Sequence, residues 1–458
     1  MRMGDTIAAI STAQAPGGIG VIRISGECAI DIADRVFVPV SGKKLTDAKG
    51  YTAHFGHVAD ETGAIDEAIA TVYRAPKSYT GENVVELSCH GGLYLTQKVL
   101  RTVFAAGANP AQPGEFTRRA FLNGKMSLTS AEAVMDLISA QGEQAARAAL
   151  ADKKGALEQR SIKVKEKLVS SAAHLAAWAD FPEEDIPEVT DDSLRSGLEA
   201  AKTEIQRLLC QFDIGSVIRN GVDTVILGRP NVGKSTLMNL LSGNEKSIVT
   251  SVAGTTRDIV EETVRAGEIL LRLADTAGLR ETDDPVESIG VQRARERMDS
   301  AQLILAVFDA SEPLQEEDLS LLERMDGRRA VAVINKSDLE QDEIFNKQLI
   351  FDKIQHTVEV SAKHGEGVEE LISAIASVLG TNDWNPAEGM LSTERQRAAA
   401  EQALTCLEEA FTAIEFGMTL DAITVSIEGA IQALAELTGE NVSEAVVDGV
   451  FHHFCVGK

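Results

Sequence analysis

The segment Gly228-Arg-Pro-Asn-Val-Gly-Lys-Ser235 fits the pattern GxxxxGK[ST]. That pattern works in one local context, a loop that leaves a strand and enters a helix. The flanking sequence supplies it: Asp223-Thr-Val-Ile-Leu227 is a short β-branched run, and helix-forming residues follow Lys234. Glycines let the backbone N–H groups curl around phosphate oxygens, and the helix N-terminus adds a favourable dipole. In such a loop Lys234 reaches the β- and γ-phosphates of a nucleotide, and the Ser235 hydroxyl ligates Mg²⁺. The chain around this loop is expected to be an α/β unit with a parallel sheet.

The rest of the 218–380 segment agrees. Ile269-Leu-Leu-Arg-Leu273, Leu303-Ile-Leu-Ala-Val-Phe308 and Ala330-Val-Ala-Val-Ile334 read as buried strands with helical stretches between them. Asp275-Thr-Ala-Gly278 follows one of these strands: an Asp there suits a Mg²⁺ site, and Gly278 offers an N–H to a γ-phosphate. Asn335-Lys-Ser-Asp338 ends another, where the Asp338 carboxylate accepts two N–H donors from guanine that adenine does not present in that arrangement. Ser361-Ala-Lys363 closes the base pocket, and Gly254-Thr-Thr-Arg257 supplies a threonine for Mg²⁺. Any one tetrapeptide is a weak signal. Five in this order define a guanine-nucleotide module similar to the Ras-like GTPases. Its expected nucleotide contacts are Asn231, Gly233, Lys234, Ser235, Thr236, Thr250, Thr255, Thr256, Asp275, Gly278, Asn335, Lys336, Asp338, Ser361 and Ala362, with Ser235 and Thr256 on Mg²⁺.

One position departs from the Ras-like pattern. A Gln commonly follows the Asp-x-x-Gly motif and orients the attacking water, but this chain has Leu279, which forms no such hydrogen bond. Acidic residues between Glu281 and Glu287, or a cation held in part by Asn231, are the candidates to take over.

With 458 residues the chain has length for about three domains. Residues 1–120 alternate short β-branched runs (Gly20–Ile24, Ala68–Tyr73, Asn83–Leu87) with glycine turns, as in a mixed α/β domain. Residues 121–217 are helical. Thr129 with Glu132 reads as a capping box, and Leu194, Leu198, Ala201, Ile205, Leu208 and Phe212 keep helical spacing. Residues 381–458 are helical again, with Leu404, Leu407, Phe411 and Ile414 on one stripe. An α/β unit between two helical blocks suggests an insertion into a single bundle.

The net charge is −26, with 1–120 neutral and 381–458 at −10. Such a field repels phosphate backbones, so contact with nucleic acid needs a local patch or a partner. Five scattered cysteines without CxxC spacing point to reduced thiols and a cytoplasmic setting rather than a disulfide framework. There is no apolar run of membrane-spanning length and no signal peptide pattern.

His90-Gly-Gly92 is like an esterase oxyanion loop, but no GxSxG elbow accompanies it. Gly18-Ile-Gly20 starts a dinucleotide fingerprint, and Arg23 stands where its third Gly belongs. The terminus Phe451-His-His-Phe-Cys-Val-Gly-Lys458 is too rich in aromatic and reactive residues for a fraying tail; adjacent His residues point apart, which disfavours zinc, and a reactive or docking tail is expected.

Taken together, Asp5-Thr-Ile7, Arg23-Ile-Ser-Gly26, Tyr79-Thr-Gly-Glu82, Pro113-Gly-Glu-Phe116, Arg119-Ala-Phe-Leu-Asn123, Asp180-Phe-Pro182, Asp275-Thr-Ala-Gly-Leu-Arg280 and the terminal Phe454-Cys-Val-Gly-Lys458 make the whole chain resemble the MnmE (TrmE) family of tRNA-modification GTPases. The resemblance implies an N-terminal tetrahydrofolate-binding-like domain that also dimerises the protein, a helical bundle, and an inserted Ras-like P-loop GTPase domain. It implies a one-carbon donor, 5-formyl- or 5,10-methylene-tetrahydrofolate, bound by Arg23, Glu86, Lys125 and Lys458, with Cys455 close by. It implies GTP hydrolysis activated when two G domains meet around K⁺, with Asn231, Thr250, Val252 and Thr255 as K⁺ ligands and with Glu287 and Lys234 catalytic. Its implied partner is the FAD protein MnmG (GidA) in a heterotetramer. The implied product is an aminomethyl or carboxymethylaminomethyl group on carbon 5 of the wobble uridine of certain tRNAs. A non-enzymatic switch, such as a ribosome-assembly GTPase, is the competing reading; assembly factors more often carry basic RNA-binding domains.

Overall fold

The computed structural model describes residues 5–180, 191–243, 262–273, 299, 301–342, 344–382, 384–452 and 454–458. The chain forms two compact units: Met1–Met135 with Asp152–Leu198 and Thr405–Lys458, and Asp136–Ala151 with Glu199–Leu404.

The first unit holds a seven-stranded sheet in the order β3-β4-β5-β6-β2-β1-β7. Its strands are β1 (Ile7–Ile10), β2 (Gly17–Ser25), β3 (Phe37–Pro39), β4 (Thr52–Asp60), β5 (Gly63–Tyr73), β6 (Val84–Gly91) and β7 (Asn109–Pro110). Neighbours run antiparallel except β1 and β7. Side chains alternate across the sheet. Ile22, Ile24, Val58, Val72, Val85 and Leu87 therefore share one face and bury against helices α1 (Ala29–Val36) and α2 (Leu93–Ala105). The same alternation sends Arg23 and Glu86 to the other face, and the β2–β6 register sets them directly opposite one another. On that face Ile7, Ala9 and Ala111 form a small second core with Phe116 of α3 (Glu115–Leu122).

Helices follow: α4 (Leu128–Ser139), α5 (Glu143–Lys153), α6 (Ala156–Asp180) and α7 (Asp191–Asn220). The stripe Leu194, Leu198, Ala201, Ile205, Leu208 and Phe212 is buried throughout, as its spacing predicts. The start of α4 differs from the sequence expectation. The Ser127 hydroxyl accepts the Ser130 N–H at 3.3 Å, so Ser127 caps the helix, while Thr129 and Glu132 lie inside its first turn and are buried. Three closely spaced hydroxyl residues offered alternative caps, and burial of the turn selected the first.

In the second unit the six-stranded sheet runs β13-β12-β11-β8-β10-β9. Its members are β8 (Val222–Leu227), β9 (Glu262–Ala266), β10 (Ile269–Leu273), β11 (Leu303–Asp309), β12 (Ala330–Asn335) and β13 (Thr357–Val360). All pairs are parallel except β9 with β10. Every residue of β11 and β12 is buried, because apolar cores lie on both faces of the sheet. Around it stand α8 (Lys234–Gly243), α9 (Glu316–Glu323), α10 (Lys347–Lys353) and α11 (Val368–Val378). The sequence runs do not announce the antiparallel edge strand β9 or the short β13; one alternates half-buried and buried residues, and the other has only four residues.

The remaining helices are α12 (Glu394–Glu415), α13 (Leu420–Thr438) and α14 (Glu444–His452). On α12, Leu407 and Ile414 are buried, and the closest packing falls to Ala400, Ala403, Ala410 and Ala413 rather than to Leu404 and Phe411. Helices α6 and α13, from either side of the 218–380 segment, pack against each other, and Lys165 pairs with Glu440 at 2.5 Å. Among the described residues no helix is long and apolar enough to cross a membrane.

Candidate guanine-nucleotide site and C-terminal cluster

The 228–233 loop leaves β8 at the centre of the sheet and leads straight into α8. This is the strand–loop–helix context the motif needs. Asn231 sits in the left-handed region at φ 65° with an exposed side chain, and Ser235 and Thr236 are exposed in the first turn of α8. Lys234 bends back over the loop, its Nζ donating to the carbonyls of Gly228 at 2.9 Å and Arg229 at 2.6 Å. An ammonium held over the loop by neutral carbonyls is poised to exchange them for phosphate oxygens.

Strand ends bring the residues expected to recognise the base to the same edge. Asn335 ends β12, 3% exposed. Its Nδ2 donates to Val232 O at 2.7 Å and its Oδ1 accepts Ala362 N–H at 3.0 Å, so one amide ties the phosphate loop to the Ser361–Lys363 loop. Ser361, fully buried, donates its hydroxyl to Asp338 Oδ1 at 2.6 Å. That bond holds the Asp338 carboxyl below the usual range, against the opposing effect of burial. The shift favours the ionised form of Asp338, the form that accepts two N–H donors. Lys336 occupies the left-handed region at φ 64°, and its ammonium pairs with Asp309 at 2.5 Å.

Thr250, Val252, Thr255, Thr256, Asp275, Gly278, Leu279 and Glu287 lie outside the described residues. Asn231, Gly233, Lys234, Ser235, Thr236, Asn335, Lys336, Asp338, Ser361 and Ala362 lie within them, gathered at the ends of β8, β12 and β13.

A second cluster forms on the outer face of the seven-stranded sheet. Arg23 Nε donates to Glu86 Oε1 at 2.8 Å, and its Nη1 to the Gly457 carbonyl at 3.2 Å. The guanidinium lies 5.5 Å from the ring centres of both Tyr79 and Phe116. The C-terminal tail is threaded in by its backbone. Ser11 Oγ also donates to Gly457 O, Phe116 N–H to Lys458 O, and Gly114 N–H to Cys455 O. Gly457 sits at φ +97°, and a Cβ there would come within 2.3 Å of Ile10 O. Phe451 and Phe454 pack in a core with Leu128, Ala131 and Val447. The tail is thus docked. Burial, and then the nearby Arg23 charge, push the Lys458 ammonium below the ordinary lysine range. Arg23, Glu86 and Lys458 therefore share one site, whereas Lys125 donates to the Pro76 carbonyl at 3.0 Å. Cys455 is exposed, and among the described residues no disulfide forms and no cluster of metal-ligating side chains assembles.

Two of the sheet-face residues, Tyr79 and Phe116, carried no assigned role in the sequence, although both stand in the motifs behind the family resemblance. Asp309 was also missed; its one signal was an acid ending a buried strand run.

The fold and the phosphate loop define a P-loop GTPase. Two family models cover nearly all of the chain: "GTP-binding protein TrmE N-terminus" over residues 6–125 and "MnmE helical domain" over residues 128–455. The chain belongs to the MnmE family of tRNA modification GTPases. The tRNA modification GTPase MnmE of Alkaliphilus oremlandii is 42% identical over 100% of both chains, and that of Geobacillus kaustophilus 41% over 99% of both. Among solved structures, the FeoB G-domain from Methanococcus jannaschii aligns at 26% identity over 35% of this chain and 98% of its own, with a TM-score of 0.25.

Proposed function

We propose that this GTPase is the hydrolytic subunit of an assembly that places an aminomethyl or carboxymethylaminomethyl group on carbon 5 of the wobble uridine of certain tRNAs. It acts as a homodimer with the FAD protein MnmG and takes its one-carbon unit from a reduced folate. The observation that carries this reading is the Arg23–Glu86–Lys458 cluster, built from two strands and the last residue of the chain. A folate offers carboxylates and a polar pterin with N–H donors. The cluster offers two cations for the former and a carboxylate for the latter. The fit is close: Lys458 is a half-buried cation whose lowered proton affinity an anionic ligand would restore. Lys125, engaged with Pro76, borders the 74–83 loop, which also bears Tyr79.

At the nucleotide, Lys234 exchanges the Gly228 and Arg229 carbonyls for β- and γ-phosphate oxygens. Asp338, its carboxylate oriented by the Ser361 hydroxyl, selects guanine, and Asn335 keeps the two loops at fixed spacing. The exposed Ser235 hydroxyl suits Mg²⁺ and the exposed Asn231 side chain suits K⁺; Thr256 for the first ion, and Thr250, Val252 and Thr255 for the second, complete the proposed sets from outside the described residues. When bound, the two ions supply positive charge against the negative charge that develops during phosphoryl transfer. Glu287 is the residue we assign to the attacking water in place of a Gln, since Leu279 forms no hydrogen bond to it. The acidic surface fits a division in which the partner holds most of the tRNA, and the reduced cysteines fit a cytoplasmic protein.

The test is reconstitution from purified protein, MnmG with its FAD, NADH, tRNA, GTP, folate and an amine source (ammonium for the aminomethyl group, glycine for the carboxymethylaminomethyl group), together with nucleoside analysis of tRNA from a deletion strain. Modified wobble uridine that requires every one of these components is the expected result. Unchanged wobble uridines in the deletion strain would leave the switch reading standing instead.

A further inference from the structure

Asp309 is the last residue of β11, only 3% exposed, and in register with Asn335 on β12. A carboxylate so deeply buried needs partners. It has three. Oδ1 accepts the Ser311 backbone N–H at 2.9 Å and the Ser311 hydroxyl at 2.6 Å, and Oδ2 takes the Lys336 ammonium at 2.5 Å. Burial by itself would raise its pKa. The donors from Lys336 and Ser311 outweigh that and hold it below the usual range. Lys336 is meanwhile in a left-handed backbone conformation that a side chain seldom adopts, between Asn335 and the guanine-reading Asp338. Its long stem has rotamer freedom to lose, and the buried anion fixes its end.

We propose that Asp309 is a positioning residue for guanine nucleotides that acts through Lys336. It touches no part of the nucleotide. It holds the lysine, and so the strained turn leading to Asp338, in the arrangement that receives the base. The inference rests on the reading of Asn335–Asp338 as the base-recognition segment.

A double-mutant cycle on nucleotide affinity tests it. Asp309→Asn keeps the size and the Ser311 contacts but removes the charge, and is expected to weaken GDP and GTP together by about tenfold. Lys336→Ala is expected to weaken both at least as much. The double variant should be no weaker than Lys336→Ala alone, because the carboxylate has nothing left to hold. Ser311→Ala, which removes one donor to Oδ1 but leaves the lysine pair, should cost less affinity than Asp309→Asn, and a loss as large as that of Asp309→Asn would overturn the proposal. Additive losses in the double variant, or an Asp309→Asn protein with unchanged affinity, would overturn the proposal. A role in folding alone would lower the melting temperature without this coupling in affinity. Should Asp309→Asn not fold, Asp309→Glu is measured in the wild-type and Lys336→Ala backgrounds. A loss seen only in the first supports the proposal, and an equal loss in both overturns it. Asp338→Asn separates the two readings. If it fails to shift preference from guanosine to xanthosine nucleotides, the base segment itself is misassigned; if it shifts preference while the cycle shows no coupling, only the role of Asp309 falls.

Discussion

A Cβ placed on Gly233 would stand 2.1 Å from Nδ2 of Asn335, the atom that donates to the Val232 carbonyl. The phosphate loop and the end of β12 are therefore joined through a gap that admits only a hydrogen at position 233. The glycine's φ of +98° adds a second demand, since residues with a side chain avoid that region. Gly233→Ala must push Asn335 away and break both of its buried hydrogen bonds. Each buried group left unpaired costs about 1–3 kcal/mol. Affinity for a fluorescent GDP analogue should fall by roughly 30-fold or more, by that same range. Retention of wild-type affinity would show that the amide bridge has no part in nucleotide binding.

The proposed base selection turns on charge at Asp338. Its carboxyl is held below the usual range chiefly by the Ser361 hydroxyl, so its folded-state pKa lies under its unfolded value. The ionised form is favoured by folding above the unfolded value, and that contribution disappears as pH falls through the folded one. Ser361→Ala should move the Asp338 titration back toward ordinary values, as followed by carboxyl carbon shifts. Asp338→Asn should lower GTP affinity by about 10–100-fold, the range of a lost charge-assisted pair, and favour xanthosine nucleotides. An unaltered base preference would contradict the assignment.

The proposed nucleotide contacts could be named from the sequence because their signals are local. Lys234, Asn335, Asp338 and Ser361 each sit in a short pattern at the end of a buried strand, and such runs announce themselves. The partners that tune them were not local. Lys336 meets Asp309 only because β11 and β12 are adjacent, and Arg23 meets Glu86 only because β2 and β6 pair in one particular register. The docking of Gly457 against Ile10 depends on a contact between the two ends of the chain, which no periodicity encodes. The capping box expected at Thr129 failed for the opposite reason: too many local candidates within one turn, of which Ser127 is the cap.

Monovalent ions bear on the missing glutamine. With Leu279 unable to position water, and Asn231 exposed in a left-handed turn of the phosphate loop, the proposed K⁺ site predicts a rate that depends on the ion. GTP turnover should drop by about tenfold or more when Na⁺ replaces K⁺, as expected for lost transition-state charge stabilisation. Asn231→Ala should flatten that difference. Equal turnover in both salts for the native protein would dispose of the cation.

The hairpin between β9 and β10 makes a different kind of contact within the second unit. Glu268 Oε2 accepts the N–H groups of Glu143 at 3.1 Å and Gln144 at 3.3 Å, capping the start of α5. Glu268→Ala should cost about 1 kcal/mol, the usual value of an N-cap. Hydrogen exchange should speed up at the Glu143 and Gln144 amides while β11 and β12 stay protected. Exchange unchanged at those two amides would mean solvent already satisfies them.

Lys458 predicts a pH dependence with a defined sign. Burial and Arg23 lower its folded-state pKa below the unfolded one, so the unfolded chain binds more protons between the two values. Stability contributed by this group therefore rises with pH through that window, once the buried charge is shed. Folate binding should run the other way. An anionic ligand needs the ammonium, so its binding takes up protons in the same window, and affinity falls as pH rises through the folded-state value. Calorimetry in buffers of different ionisation enthalpy counts those protons directly. Lys458→Met should abolish the uptake and weaken folate by about tenfold, as for one lost charge-assisted hydrogen bond. Arg23→Ala should weaken it further, because the same guanidinium also pins the Gly457 carbonyl that carries the tail. Proton uptake that persists in Lys458→Met would assign the titrating group elsewhere and take the tail lysine out of the folate site.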